Sequence, residues 1–159
     1  MKKSSTILLQ VVLVLIGIGT LAFMLWEPHI EGRNAHATLF EIYFKDPFLA
    51  YAYITSIAFF FALYQTFKVL GLVGQNKTFS QETVRALRII KYCGLVLFGF
   101  IVLGEFFIMM YNGNEDRPPA VFMGLIATVI SLGITSAATR FEKHLQTSIE
   151  MEQENNLNV

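Results

Sequence analysis

The placement of charge along this chain constrains its fold more than any motif does. Between Lys3 and Glu27 lie 23 consecutive uncharged residues. The apolar run from Ile7 to Trp26 supplies 20 of them, about the number a helix needs to cross 30 Å of hydrocarbon. A second uncharged window runs from Pro47 to Phe67, a third from Tyr92 to Asn114 with Glu105 as its only charge, and a fourth from Pro118 to Thr139. A helix that is apolar all round belongs in a protein core or in a bilayer, and four of them in 159 residues would leave a soluble bundle without a polar face. The pattern therefore predicts an all-α chain, a single integral membrane domain folded as an antiparallel four-helix bundle. Its spans are expected over about 7–26, 49–70, 89–111 and 119–139, with connections 27–48, 71–88 and 112–118 and a polar tail 140–159.

The first span reads as an uncleaved anchor. Lys2, Lys3 and the formal A-x-A at Ala35-His36-Ala37 imitate a signal peptide. The apolar run exceeds the roughly 7–15 residues of a signal core, however, and the A-x-A lies nine residues past Trp26, behind Glu27, Pro28 and Glu31. Helix ends are marked by Asp46-Pro47, by Arg117-Pro118-Pro119 and by Asn112-Gly113-Asn114. Trp26, Tyr43, Tyr51, Tyr53 and Tyr111 gather at one set of span ends, with Tyr64 and Tyr92 near the other, as amphipathic rings do at headgroup depth.

Four spans put both termini on one side, together with the connection between the second and third helices. That side carries Lys2, Lys3, Lys68, Lys77, Arg85, Arg88, Lys91, Arg140 and Lys143; the other has Arg33, Lys45 and Arg117. Nine basic residues against three predict that the basic side, with both termini, is cytoplasmic. Globally the charges balance, twelve against twelve, which gives no field for binding nucleic acid directly.

The segment from Gly74 to Ile89 is the most specific local feature. Ser80 is an N-cap candidate, Glu82 sits in the first turn that follows, and Phe79 can staple onto Val84. The third helix is thus expected to begin before the membrane, with Arg85, Arg88 and Lys91 reaching toward headgroups. Two uses are open for this stretch. One is anchoring to the bilayer; the other is a docking surface for a cytoplasmic protein, built from Lys77, Phe79, Ser80, Val84, Arg85, Leu87 and Arg88.

Asn76, Lys77, Phe79, Ser80, Val84, Leu87, Arg88 and Ile89 form an N-K-x-F-S-x-x-x-V-x-x-L-R-x-I pattern. In the middle loop of a four-span chain of this length, it resembles the bacterial domain-of-unknown-function 2975 family. The resemblance covers nearly the whole chain and implies a protein of the bacterial cytoplasmic (inner) membrane. Members are often encoded beside small helix-turn-helix regulators, so it also implies control of a transcription regulator from the membrane. It transfers no ligand, activity or site residue.

Glu105 is the one ionisable residue inside a span, six residues before Tyr111 and so about 9 Å below that boundary. At similar depth lie Thr20 in the first helix, Tyr53, Thr55 and Ser56 in the second, and Thr128 in the fourth. A carboxyl in hydrocarbon demands a partner. Glu105 is therefore expected to face inward and bond within this polar layer, either tying the helices together or holding a proton, a cation or a small amine. Gln10, Tyr64 and Gln65 suggest a second polar cluster nearer the basic side. Gly124, Thr128, Ser131, Thr135 and Ala138 form a small-residue stripe suited to packing within the chain or to a homo-oligomer.

Thr38-Leu39-Phe40-Glu41 reads as a capping box opening a short interfacial helix. His29 and His36 are seven apart, a spacing that suits no metal site, and the single Cys93 permits neither an internal disulfide nor a cysteine-pair metal centre. Beyond Arg140, Phe141, Leu145 and Ile149 form a narrow apolar stripe that can extend the fourth helix by two or three turns before Gln153 to Val159 frays. No catalytic motif, cofactor-binding pattern or phosphate-binding glycine loop occurs, so an enzyme is not expected. The reading that remains is a membrane-embedded regulator or sensor holding a cytoplasmic partner. Its alternative is a small oligomeric transporter or channel with Glu105 as the coupling carboxylate.

Overall fold

The computed structural model describes residues 3–30, 38, 40–41, 47–110 and 117–157. Four long helices account for almost all of them: α1 (Lys3–Ile30), α2 (Pro47–Gly74), α3 (Gln81–Met110) and α4 (Arg117–Leu157). There is no strand among the described residues. Each helix is long and apolar enough to cross a membrane. The capping residues expected at Asp46, the stop at Asn112-Gly113-Asn114, the rings of Tyr43 and Tyr111, His36, and the side chains of Arg117, Pro118 and Pro119 lie outside what is described. So do Lys2, Arg33 and Lys45.

The helices run antiparallel in chain order, and the extensive pairings are α1 with α2, α2 with α3 and, most closely, α3 with α4. α4, with 41 residues, is about 60 Å long, twice what a bilayer requires. It stays helical to Leu157 instead of fraying from Gln153. α1 likewise runs on past Trp26 through Pro28 to Ile30.

Where the core lies follows from what surrounds each segment. From Ile7 to Trp26 no residue of α1 is buried, and exposed leucine, isoleucine, valine and phenylalanine cover the outer faces of all four helices. In lipid such side chains need no protein cover, because the solvent is as apolar as they are. The buried apolar cluster instead gathers Val84, Leu87 and Ile90 of α3 with Ala138, Leu145 and Ile149 of α4, and Val69 of α2 packs on it. It sits at the basic end, largely past the apolar spans, where water supplies the drive to bury it.

Polar side chains lock each pair of neighbours, mostly by donating to main-chain carbonyls. Gln10 Nε2 donates to Phe67 O at 3.2 Å and Tyr53 Oη to Met24 O at 2.9 Å, joining α1 to α2. Tyr51 donates to Phe100 O, and Lys68 pairs with Glu82 at 2.9 Å, joining α2 to α3. Ser131 Oγ donates to Gly94 O at 2.7 Å, joining α3 to α4.

Candidate functional site

At the basic end the chain turns from α2 into α3 through residues 75–80, and both sides of the turn are capped by their own sequence. Asn76 adopts a left-handed backbone with φ of 59°. Lys77 N–H then reaches Leu72 O at 2.9 Å and Asn76 N–H reaches Val73 O at 3.1 Å, the double closure of a Schellman motif with asparagine at its left-handed position. Ser80 is the N-cap that its sequence suggests. Its Oγ accepts from Thr83 N–H at 3.3 Å, and its carbonyl accepts from Val84 N–H at 3.2 Å. Thr83, almost fully buried, donates its hydroxyl to Lys77 O at 3.0 Å and so ties the start of α3 to the turn.

Beyond the apolar stretch of α4 stands Glu142, buried, which accepts from Arg88 Nε at 2.7 Å and from Lys91 Nζ at 2.6 Å. Burial alone would raise its carboxyl's affinity for a proton. The hydrogen bonds and charges of Lys91 and Arg88 more than reverse this and hold it below the ordinary carboxylate value. The group therefore stays ionised and pins α4 alongside α3 just outside the spans. The sequence reading passed over Glu142 although a signal was present. The stripe Gly124, Thr128, Ser131, Thr135, Ala138 continues at the same spacing through Glu142, Leu145 and Ile149.

This arrangement corrects several sequence expectations. Val84 and Leu87, expected on a docking surface, are buried between α3 and α4 and offer nothing to a partner. Phe79 is 63% exposed, so it does not staple over Val84, which Leu145 and Ile149 help to bury. Phe141 is 62% exposed and stands off the stripe on which Leu145 and Ile149 are buried; Glu142 takes the inward position. Lys77, Phe79 and Arg85 face outward and Arg88 is half-exposed, while Ser80 serves as a cap.

The intramembrane layer also differs from its expectation. The Glu105 side chain does face another helix: a Cβ built on Gly124 would fall on its carboxylate. No hydroxyl of the expected set reaches it, however. Thr55 donates to Tyr51 O at 2.8 Å and Ser56 to Tyr53 O at 2.7 Å, both within α2, while Tyr53 serves Met24. Thr20 and Thr128 are half-buried and neither is bonded to Glu105. Counting inward from the span ends does not set these groups opposite one another: Glu105 meets α4 at Gly124, a turn away from Thr128, and its neighbour Gly104 meets α2 at Tyr51, a turn away from Thr55. The polar residues that are buried in the spans lie nearer the basic end: Gln65, Ser131 and Thr135. Gln65 is buried while Tyr64 is 60% exposed and Gln10 bonds to Phe67, so these three form no cluster.

The capping box at Thr38 and Glu41 is present. Thr38 N–H and Oγ1 donate to Glu41 Oε2 at 3.1 and 3.0 Å, and Glu41 N–H reaches back to Thr38 Oγ1 at 3.4 Å. Among the described residues no group of three or more histidine, cysteine or carboxylate side chains could hold a metal ion.

The turn, its caps and Arg88 of the clamp belong to the same stretch, Asn76 to Ile89, that carries the sequence pattern, and comparison with known proteins places that stretch in a family. Residues 33–159 match the family described as Protein of unknown function (DUF2975). The chain belongs to the DUF2975 family. A full-length relative is the Uncharacterized membrane protein YoaS of Bacillus subtilis (strain 168), 36% identical over 160 residues, all of each chain being covered. No solved structure matches. The DUF2975 match takes in α2, α3 and α4, and so the whole Glu142 clamp and the capped turn, while α1 precedes it. With four apolar helices and a membrane-protein relative, this DUF2975 chain is a multi-pass membrane protein.

Proposed function

We propose that this protein is a regulator in the bacterial cytoplasmic membrane that holds a cytoplasmic protein at its basic end. A small helix-turn-helix transcription regulator is the partner class implied by the family resemblance. The observation that carries this reading is the packed cluster around Val84 and Leu145 together with the Glu142 clamp. A chain that needed only to anchor itself has no use for a cored, doubly capped platform beyond its spans. On that platform Lys77 and Phe79 project from a rigid turn, which gives a partner a charge and an apolar ring at fixed positions. A photo-cross-linking amino acid in place of Phe79, activated in intact cells, should capture one soluble protein. Loss of that adduct on Lys77→Glu supports the site; adducts with lipid alone would overturn it.

One observation favours a second reading, a small oligomeric transporter coupled through Glu105. That carboxyl sits half-buried in a span against Gly124, and no hydrogen bond or ion pair reaches it among the described residues. Glu105→Gln should then abolish transport while leaving the folded protein's yield and melting temperature unchanged.

A further inference from the structure

The side-chain links between helices fix which residues lie level with one another, and the levels do not agree on where the hydrocarbon ends. Gln10 is bonded to Phe67, and the next residue, Lys68, is bonded to Glu82. Gln10 is therefore level with the first two turns of α3, about 6–14 Å beyond Lys91 along that helix. Around Gln10 the α1 surface is wholly apolar: Ile7, Leu8, Val11 and Leu15 are 49–66% exposed. At the same level α3 and α4 present Arg85, Arg88 and Lys143. A flat boundary perpendicular to the helices would leave either the first turns of α1 in water or the Glu142 clamp in hydrocarbon. Membrane helices tilt by about 20° on average and by up to roughly 40°, which lets the α1 flank sink while the α3–α4 flank rises into the headgroups.

The α3–α4 flank is equipped for that position. The exposed stripe of α3 passes from Phe106, Leu103 and Leu95 to Tyr92, then to Arg88 and Arg85. Lys91 Nζ stands 5.1 Å from the centre of the Tyr92 ring. On α4, Ile130 and Ile134 lead to Phe141, flanked by Arg140 and Lys143. Lys68, Arg85, Arg88, Lys91, Arg140 and Lys143 meet only Glu82 and Glu142 as ion-pair partners among the described residues. Four positive charges are thus left over at headgroup depth, beneath two aromatic rings.

We propose that this belt of α3 and α4 binds the phosphates of anionic phospholipids, and that the protein sits obliquely, its α1 flank deeper than its α3–α4 flank. The surface is distinct from Lys77 and Phe79 and needs no protein partner.

The test uses the purified full-length protein in vesicles of phosphatidylcholine mixed with brominated phosphatidylglycerol or brominated phosphatidylcholine. Because Trp26 is the only tryptophan, Trp26→Phe combined with Tyr92→Trp reports on the belt, and the unaltered chain reports on the opposite end. Quenching at position 92 should show a roughly fivefold preference for the anionic lipid. The preference should be absent at Trp26, and should fall to near unity with Arg85→Gln, Arg140→Gln and Lys143→Gln together or in 1 M salt. Equal quenching by both lipids, or a preference that survives the triple substitution with helicity unchanged, would overturn the assignment. Competition by millimolar inorganic phosphate would also overturn it, in favour of a site for soluble anions. For the tilt, a tryptophan replacing Leu8 should be quenched best by bromines deep in the acyl chains; best quenching by a headgroup-level quencher refutes the oblique seating.

Discussion

Tyr53 on α2 donates its hydroxyl to Met24 O on α1 at 2.9 Å, the carbonyl that Pro28 deprives of its helical donor. Proline has no N–H, so the carbonyl four residues earlier loses its partner, and a main-chain carbonyl left unpaired near hydrocarbon is costly. The tyrosine from the neighbouring helix takes that place. Tyr53→Phe should therefore destabilise the protein by about 1 kcal/mol. In a Pro28→Ala background, where residue 28 supplies its own N–H, the same change should cost much less. A double-mutant cycle by thermal or denaturant unfolding in detergent measures the coupling; additive effects would show that the hydroxyl does not compensate for the proline.

Pro28 also shows what the sequence can and cannot convey. The four uncharged windows set the number and type of helices, because length and apolarity alone decide whether a segment spans, and four spanning helices are found. Ser80 and Thr38 with Glu41 were legible as caps, because capping is a local bond between residues three apart. Which way a side chain points around its helix was not legible from depth. Counting from the span ends puts Glu105, Thr55 and Ser56 at one level, yet the hydroxyls turn back onto their own helix and Glu105 lies against Gly124. Phase mattered again at Phe141 and Glu142. Composition favours burying the phenylalanine, but the α4 stripe puts the glutamate inside and two cations of α3 make that tolerable.

α3 and α4 come close together at Gly94. A Cβ there would collide with Thr135 Oγ1, while Ser131 Oγ donates to the Gly94 carbonyl at 2.7 Å. Small residues give membrane helices this proximity and with it their packing energy. Gly94→Ala should cost about 1–3 kcal/mol through overpacking. Thr135→Ala removes the colliding oxygen and should recover most of that loss. Failure of this rescue in unfolding experiments would mean that the cost lies in the backbone of α3 and not at the contact.

In the turn between α2 and α3, two substitutions at one position should act differently. Asn76 holds a left-handed conformation, which glycine adopts freely and a β-branched residue resists. Asn76→Gly should leave stability unchanged or raise it slightly, and Asn76→Val should lower it by about 1–2 kcal/mol. Ser80→Ala removes the cap on α3 and should cost about 1 kcal/mol. Hydrogen exchange would locate the first loss at the amides of Gln75 to Lys77, which close α2, and the second at the α3 amides from Thr83 to Leu87. Protection unchanged in Ser80→Ala would show that Thr83, through Lys77 O, holds the helix start unaided.

Glu142 links the fold to pH. Its folded-state affinity for protons is depressed, so the carboxylate stabilises the protein above the ordinary unfolded value of about 4.3 and loses that contribution as pH falls through the lower folded value. Removing it leaves Lys91 and Arg88 facing each other at the edge of the buried cluster. Arg88 is half-exposed and shares its charge with water, which keeps the cost of Glu142→Ala nearer about 1–3 kcal/mol than the larger losses of fully buried pairs. Lys91, with 21% of its side chain exposed against 51% for Arg88, should be the more sensitive partner, Lys91→Gln lowering the melting temperature more than Arg88→Gln. The diagnostic quantity is the difference in melting temperature between the parent and Glu142→Gln. It should be constant from pH 8 to about pH 5 and shrink progressively as the pH falls below the ordinary carboxylate value of about 4.3, since protonation makes the parent resemble the amide. A difference that stays constant through pH 3 would show that Glu142 contributes through packing and not through its charge.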